Sequence, residues 1–165
     1  MTVAHPQMTC SMSDVVMTEA PRSAELVADA KLALRRLASS VSVVTCRHNA
    51  RNYAMTATSV SALSMEPPSM LVCVNRSATF HAALSQTNEF GINVLSRAHV
   101  VISKLCSGEA SAENRFNVGD WDTRAAAPVL VDAQAAIICR KDKQLEYGTH
   151  TVFMGRIISI TMNGD

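Results

Sequence analysis

At 165 residues, with 48% hydrophobic and 18% charged positions, the chain has the length of one domain and enough apolar side chains for a sizeable core. Fifteen Lys and Arg against fourteen Asp and Glu give a net charge of +1 without a basic block, which argues against nucleic acid as a partner. No uncharged apolar run approaches the ~18 residues of a membrane span. Cys10, Cys46, Cys73, Cys106 and Cys139 are widely spaced, with no Cys-x-x-Cys pair, and point to neither a disulfide framework nor a zinc knuckle. A soluble protein of the cytoplasm with reduced thiols is expected.

Residues 1–22, a Met/Thr/Ser mixture, read as a flexible N-terminal arm, leaving 23–165 as the folded domain. From Ser23 to Ser40, Leu26, Ala30, Leu34 and Leu37 recur at helical spacing. Glu25 and Asp29 stand early and Lys31, Arg35 and Arg36 late, matching the helix dipole. Val41 to Cys46 is a β-branched strand, and the asparagines of 47–52 build a turn into a second strand over 53–64. Pro67-Pro68 are expected to stop the pairing before a short apolar strand, Met70 to Val74. Ser77 is a candidate cap for a helix from 78 to about 87, and Phe90 to Leu95 returns as strand. Ser96 precedes a helix to about 105 with Val100, Val101 and Leu105 facing inward.

Residues 107–128, with Gly108, Gly119 and the single Trp, Trp121, read as a long surface loop of the kind that is often functional. The last two strands, 133–140 and 151–162, are joined through the charged stretch Lys141 to Glu146 and Gly148. Six or so strands with short connections and two or three helices predict a mainly β protein with helices (α+β), a small barrel with helices packed outside. There is no GxGxxG and no GxxxxGK[ST], so a nucleotide would be held without a Rossmann or P-loop cradle.

The stretch AMTATSVSALSMEPPSMLVCVNRS, residues 54–77, carries the chemistry. Thr56 and Thr58 share one strand face, but Ser59 and Ser61 fall on the other, so the hydroxyl stripe changes parity between 58 and 59. A kinked edge of this kind presents N–H groups and hydroxyls that can bond a phosphate or a planar heterocycle, although a solvated strand face explains the hydroxyls as well. Asn75-Arg76-Ser77, at a strand end before a helix start, has the ingredients of a phosphate clamp; a surface Arg beside a capping Ser is the plainer alternative. Cys46-x-His48 has no second ligand pair at a recognisable spacing, so no metal site is expected. His81 and His99 read as partly exposed polar positions and Cys73 as a small buried hydrophobe.

The ordered blocks RRLASSVSVVT, AMTATSVSALSMEPPSMLVCVNRS, FGINVLS, ENRFNVGDW and YGTHTVFMGRI, from about residue 31 to 160, resemble the flavin reductase family with the FMN-binding split-barrel fold. The resemblance implies a homodimer that reduces FMN or FAD with NADH or NADPH and hands reduced flavin to a separate flavin-dependent monooxygenase. By position it places Thr56, Ala57, Thr58 and Ser59 along the flavin and its ribityl phosphate. Asn75, Arg76 and Ser77 would close that pocket, with Arg76 on the phosphate and Ser39 to Val41 near the ring. His150, in Gly148-Thr149-His150, is the implied redox-site residue. Arg115, Phe116 and Trp121 match loop positions of the family and are lid candidates beside plain loop packing.

Many members have Gly-Asp-His where this chain has Gly-Thr-His, a change that bears on nicotinamide recognition. Relatives also continue beyond the position of Met162 into a strand with a Tyr, so weaker flavin affinity or dimer stability is expected of a sequence ending at Asp165. A flavin-binding split-barrel protein without turnover, and a bound-flavin reductase of another acceptor such as a corrin, are alternatives that share these residues. Hydride transfer asks few catalytic groups of the protein, in keeping with a sequence lacking an evident acid/base pair or triad.

Overall fold

The computed structural model describes residues 24–112 and 114–163; the expected N-terminal arm lies outside them. The described chain falls into two compact units, one reaching Ala38 and the other beginning at Ser39. The first holds helix α1, Ala24–Leu34, followed by a turn over 35–37 rather than the longer helix expected. Among the described residues no helix is long and apolar enough to cross a membrane.

The second unit is built on a seven-stranded antiparallel sheet. Its strands are β1 (Ser42–His48), β2 (Arg51–Ala57), β3 (Val60–Met65), β4 (Pro68–Asn75), β5 (Glu89–Val94), β8 (Ala135–Tyr147) and β9 (His150–Met162). A separate two-stranded pair is formed by β6 (Trp121–Asp122) and β7 (Val129–Leu130). The order across the large sheet is β2-β1-β5-β8-β9-β4-β3. Two strands adjacent in sequence, β2 and β3, therefore sit at opposite edges, joined only by Thr58 and Ser59.

Three peptide steps span at most about 11 Å, so the two edges must curl toward each other. The sheet closes into a barrel split at that link. The expected single strand over 53–64 is thus two strands, and the change of parity at Thr58-Ser59 is the point where the chain leaves one edge for the other. Ser59 is held on the far side, its carbonyl accepting from Cys73 N–H at 3.0 Å.

Pairing also survives the two prolines: Met65 pairs with Pro68 across a tight turn. Pro68 is tolerated because it is the first residue of its strand, where no ladder N–H is needed. The charged stretch 141–146 is not a connector but the outer half of β8, and with β9 it makes a hairpin of two 13-residue strands turned by Gly148-Thr149. Gly148 takes φ +56°, as a first-position turn glycine should.

Inside the barrel, Val44, Val72, Val74, Phe90, Ile92 and Phe153 pack with Phe80 and Leu84 of helix α2, Thr79–Gln86. A second cluster, Val43, Ala54, Leu95, Ile102, Cys106 and Leu130, covers the other face of β1 and β2 with helix α3 (Val100–Lys104) and the long loop. Because β1 is covered on both faces, Ser42 to Cys46 are all buried, which accounts for its unbroken β-branched run. The inward residues of α3 are Ile102 and, beyond it, Cys106; Val100 and Val101 are exposed, contrary to expectation. The 3-10 turn Arg97–His99 precedes α3 and alters the phase of its apolar face.

Candidate functional site

Asn75 ends β4 and pairs with His150, the first residue of β9, so the Asn75-Arg76-Ser77 loop and the Gly148-Thr149 turn lie side by side. Asn75 organises the loop: its Oδ1 accepts from both the N–H and the hydroxyl of Ser77 at 2.9 Å. Ser77 is therefore occupied, and α2 begins instead from Ala78 with no side-chain cap. The helix is secured at its other end. Lys141 Nζ donates to the carbonyls of Leu84 and Ser85 at 3.0 and 2.7 Å, satisfying the last turn. Partial burial lowers the pKa of that amine.

Arg76 is tied to the hairpin tip. Its Nη1 donates to Glu146 Oε2 at 2.7 Å, its Nη2 to the Gly148 carbonyl at 2.7 Å, and its backbone N–H to the Thr149 carbonyl at 2.9 Å. His150 is exposed, and its Nδ1 lies 2.9 Å from the Thr149 hydroxyl, so the ring is held through one nitrogen while Nε2 has no partner among the described residues. Deeper in the same hairpin, Thr151 is buried and its hydroxyl meets His81 Nε2 at 2.8 Å.

Residues 56–59 divide into two pairs by role. Thr56 donates to the Ser103 carbonyl at 2.7 Å, fastening α3 to β2, and Ala57 is buried in the barrel core. Thr58 and Ser59 are exposed at the split, and neither hydroxyl has a partner among the described residues. Cys73 bonds the Ser59 carbonyl and precedes Asn75 by two residues, a strand rise of about 7 Å. The structure thus brings Thr58 and Ser59 into the neighbourhood of the Asn75 loop, while the side chains of Thr56 and Ala57 turn to packing.

On the other side of Thr56 a cleft of about 390 Å³ opens, lined by Val41, Leu95, Ser96, His99, Val100 and Ser103 together with Arg97 and Lys104. Its walls are mainly apolar. It does not include the Asn75 loop or His150, and it meets the hydroxyl run only through Ser103. Sequence reasoning assigned Leu95, Ser96 and Ser103 no part in a site; Val41 alone was expected near one. His99, expected to be partly exposed, is buried: Nδ1 accepts from Ser96 N–H at 3.1 Å in a capping box, and Nε2 stands 3.2 Å from the Asp132 carboxylate without the alignment of a hydrogen bond.

The long loop is pinned. Arg115 Nη1 donates to the Ala54 carbonyl at 2.7 Å, Phe116 and Trp121 pack edge to face at 5.1 Å, and the Arg47 guanidinium reaches the Thr123 carbonyl. Arg115, Phe116 and Trp121 have the contacts of loop packing. Burial pushes the thiols of Cys46 and Cys139 up to about 12 and that of Cys106 to about 11, so these three are not nucleophiles near neutral pH. Cys73 is half-buried, more open than the core position expected of it. Among the described residues no group of three His, Cys, Asp or Glu side chains is placed to hold a metal ion.

With this geometry in hand, comparison with known proteins is specific. The model of the flavin reductase like domain matches residues 34–165. The FADH(2)-dependent resorcinol hydroxylase reductase component of Rhizobium sp. (strain MTP-10005) is 40% identical over 129 residues, 76% of this chain and 72% of that protein. The FMN reductase (NADH) RutF of Variovorax paradoxus (strain S110) is 35% identical over 138 residues, 83% of this chain and 77% of that protein. Among solved structures, the NADH:FAD oxidoreductase SgcE6 of Streptomyces globisporus C-1027, in complex with NAD and FAD fragments, superposes with a TM-score of 0.72 at 28% identity, covering 81% of this chain and 83% of its own.

Proposed function

Because the chain belongs to the flavin reductase family, we propose that it is an NAD(P)H:flavin oxidoreductase that reduces FMN or FAD and supplies reduced flavin to a separate flavin-dependent monooxygenase. The observation that carries the site assignment is the pair of exposed hydroxyls at the barrel split, Thr58 and Ser59, without partners among the described residues. Such groups fit a flavin, whose ring carbonyls, ring nitrogens and phosphate offer acceptors and donors to match. Thr56 and Ala57 hold that link in place from beneath, through Ser103 and the barrel core.

Asn75, Arg76 and Ser77 lie to one side of this hydroxyl pair, and on the other the separate cleft lined by Val41, Leu95, Ser96 and Ser103 offers both apolar and hydroxyl contacts. When bound, nicotinamide and flavin supply the hydride donor and acceptor. The protein's part is to hold their rings in register and to keep water out. His150 offers Nε2 to the redox site as a hydrogen-bonding atom, its ring being oriented by Thr149 through Nδ1.

Homodimerisation fits the surface. Ile158, Ile160 and Met162 alternate along the end of β9 and are 45%, 54% and 76% exposed, an apolar row suited to a second copy of the chain. Reduced nicotinamides are made in the cytoplasm, which is where this chemistry belongs. The test follows absorbance at 340 nm with NADH or NADPH against FMN, FAD and riboflavin. Turnover with at least one combination is expected, and none with any of them overturns the reading.

A further inference from the structure

Gly148 and Thr149 turn the long hairpin where packing is weakest: residues 142–150 are all exposed, so no core side chain fixes the direction in which His150 leaves the turn. Polar contacts must do it. Beyond the strand pairing of His150 with Asn75 and Tyr147, those that reach the turn come from Arg76, whose backbone N–H and Nη2 take the carbonyls of Thr149 and Gly148 while Nη1 takes Glu146, four residues before His150. Thr149 in turn holds His150 Nδ1 at 2.9 Å.

We infer that Arg76 is a positioning residue, with Glu146 as its partner, that locks the Gly148-Thr149 turn and thereby aims the His150 ring at the redox site. The inference rests on the reductase reading above. It gives Arg76 a task other than the phosphate clamp its sequence position suggests. Only a planar fork can meet a carboxylate and a carbonyl at once while its own main chain bonds a third acceptor; a lysine ammonium on its flexible stem would not hold that geometry. Nη1 and Nη2 each place one N–H on the turn at 2.7 Å, so two of the five guanidinium donors serve the hairpin. The Arg76 side chain is 45% exposed and that of Glu146 63%. An ion pair so open contributes little to global stability, so variants should fold and the loss should appear in rate.

Steady-state reduction of FMN and of riboflavin separates the two tasks. Arg76→Ala and Glu146→Ala are each expected to lower kcat by roughly tenfold, the scale of effect a slightly misdirected group produces. The loss should be equal for both flavins, with KM changed less than about twofold, the double variant no worse than either single one, and Arg76→Lys intermediate. A rise in KM for FMN but not riboflavin in Arg76→Ala, or an unaltered kcat in Glu146→Ala, overturns the proposal. A second measurement does not depend on turnover: backbone hydrogen exchange over residues 145–151 should quicken in both Ala variants and not elsewhere. Unchanged exchange there overturns the lock even if the wild-type chain reduced no flavin, an outcome that would separately sink the reductase reading.

Discussion

Asn93 offers the sharpest test of how this barrel holds its long loop. The residue is 1% exposed, its Nδ2 donates to the Val43 carbonyl at 3.1 Å, and its Oδ1 accepts from Leu130 N–H at 2.8 Å. It thus fastens β5 to β1 on one side and to β7, with Leu130 fully buried, on the other. Asn93→Ala leaves a buried donor and a buried acceptor unsatisfied, each costing about 1–3 kcal/mol, for a loss of roughly 2–5 kcal/mol. In urea, with slopes of about 1–3 kcal/mol/M, the midpoint should fall by at least ~0.7 M.

Asn93→Asp refines the test. One carboxylate oxygen can still accept from Leu130, but the other faces the Val43 carbonyl, acceptor against acceptor, with a charge in the core. The folded-state pKa of the new carboxyl is thereby raised above its unfolded value of about 3.9, so the penalty is absent below that pH and grows as pH rises through the folded pKa. The stability gap to wild type should be large at pH 7 and narrow toward pH 4. An Asn93→Ala change within about 0.5 kcal/mol, or a gap that does not narrow, refutes the reasoning.

Ala50 adopts φ +59° in the two-residue turn between β1 and β2, a conformation that is strained by about 1–2 kcal/mol for a residue with a Cβ. Ala50→Gly should therefore raise the thermal midpoint by roughly 2–4 °C in calorimetry. At Gly155 an added Cβ would lie 2.9 Å from the Arg140 carbonyl and 2.8 Å from Phe90. Gly155→Ala should destabilise by about 1–3 kcal/mol in denaturant titration because backbone cannot step aside. The Cys46, Cys106 and Cys139 thiols should resist iodoacetamide at pH 8 in the native protein and label after denaturation, as mass spectrometry would read. Since burial raises these pKa values above 9.0, the stability they carry is present below pH 9 and lost as pH rises toward 11 and 12.

The sequence by itself determined the elements whose signals are local. The β-branched run from Val41, the asparagine turn and the Ser96 start are where its pattern put them, because strand propensity, turn chemistry and capping act within a few residues. It also located the special point at Thr58-Ser59, since a change of parity is visible without knowing any partner. What only the tertiary structure decided is what each side of that point pairs with. Nothing local says that β2 and β3 part to opposite sheet edges, so a strand break read as a kink.

The charged stretch 141–146 looked like a loop because its half of the hairpin faces solvent and carries no apolar alternation. Pairing with β9, not burial, makes it a strand. The division of labour among the site residues is tertiary too. Thr56 and Thr58 look alike in sequence, yet one meets Ser103 and the other is open. Arg76 and Glu146, seventy residues apart, become partners only because β4 and β8 flank the same stretch of β9. Hydrogen-bond partners separated that far along a chain leave no mark in spacing, and that is why the contact between Arg76 and Glu146 could not be read before the fold was known.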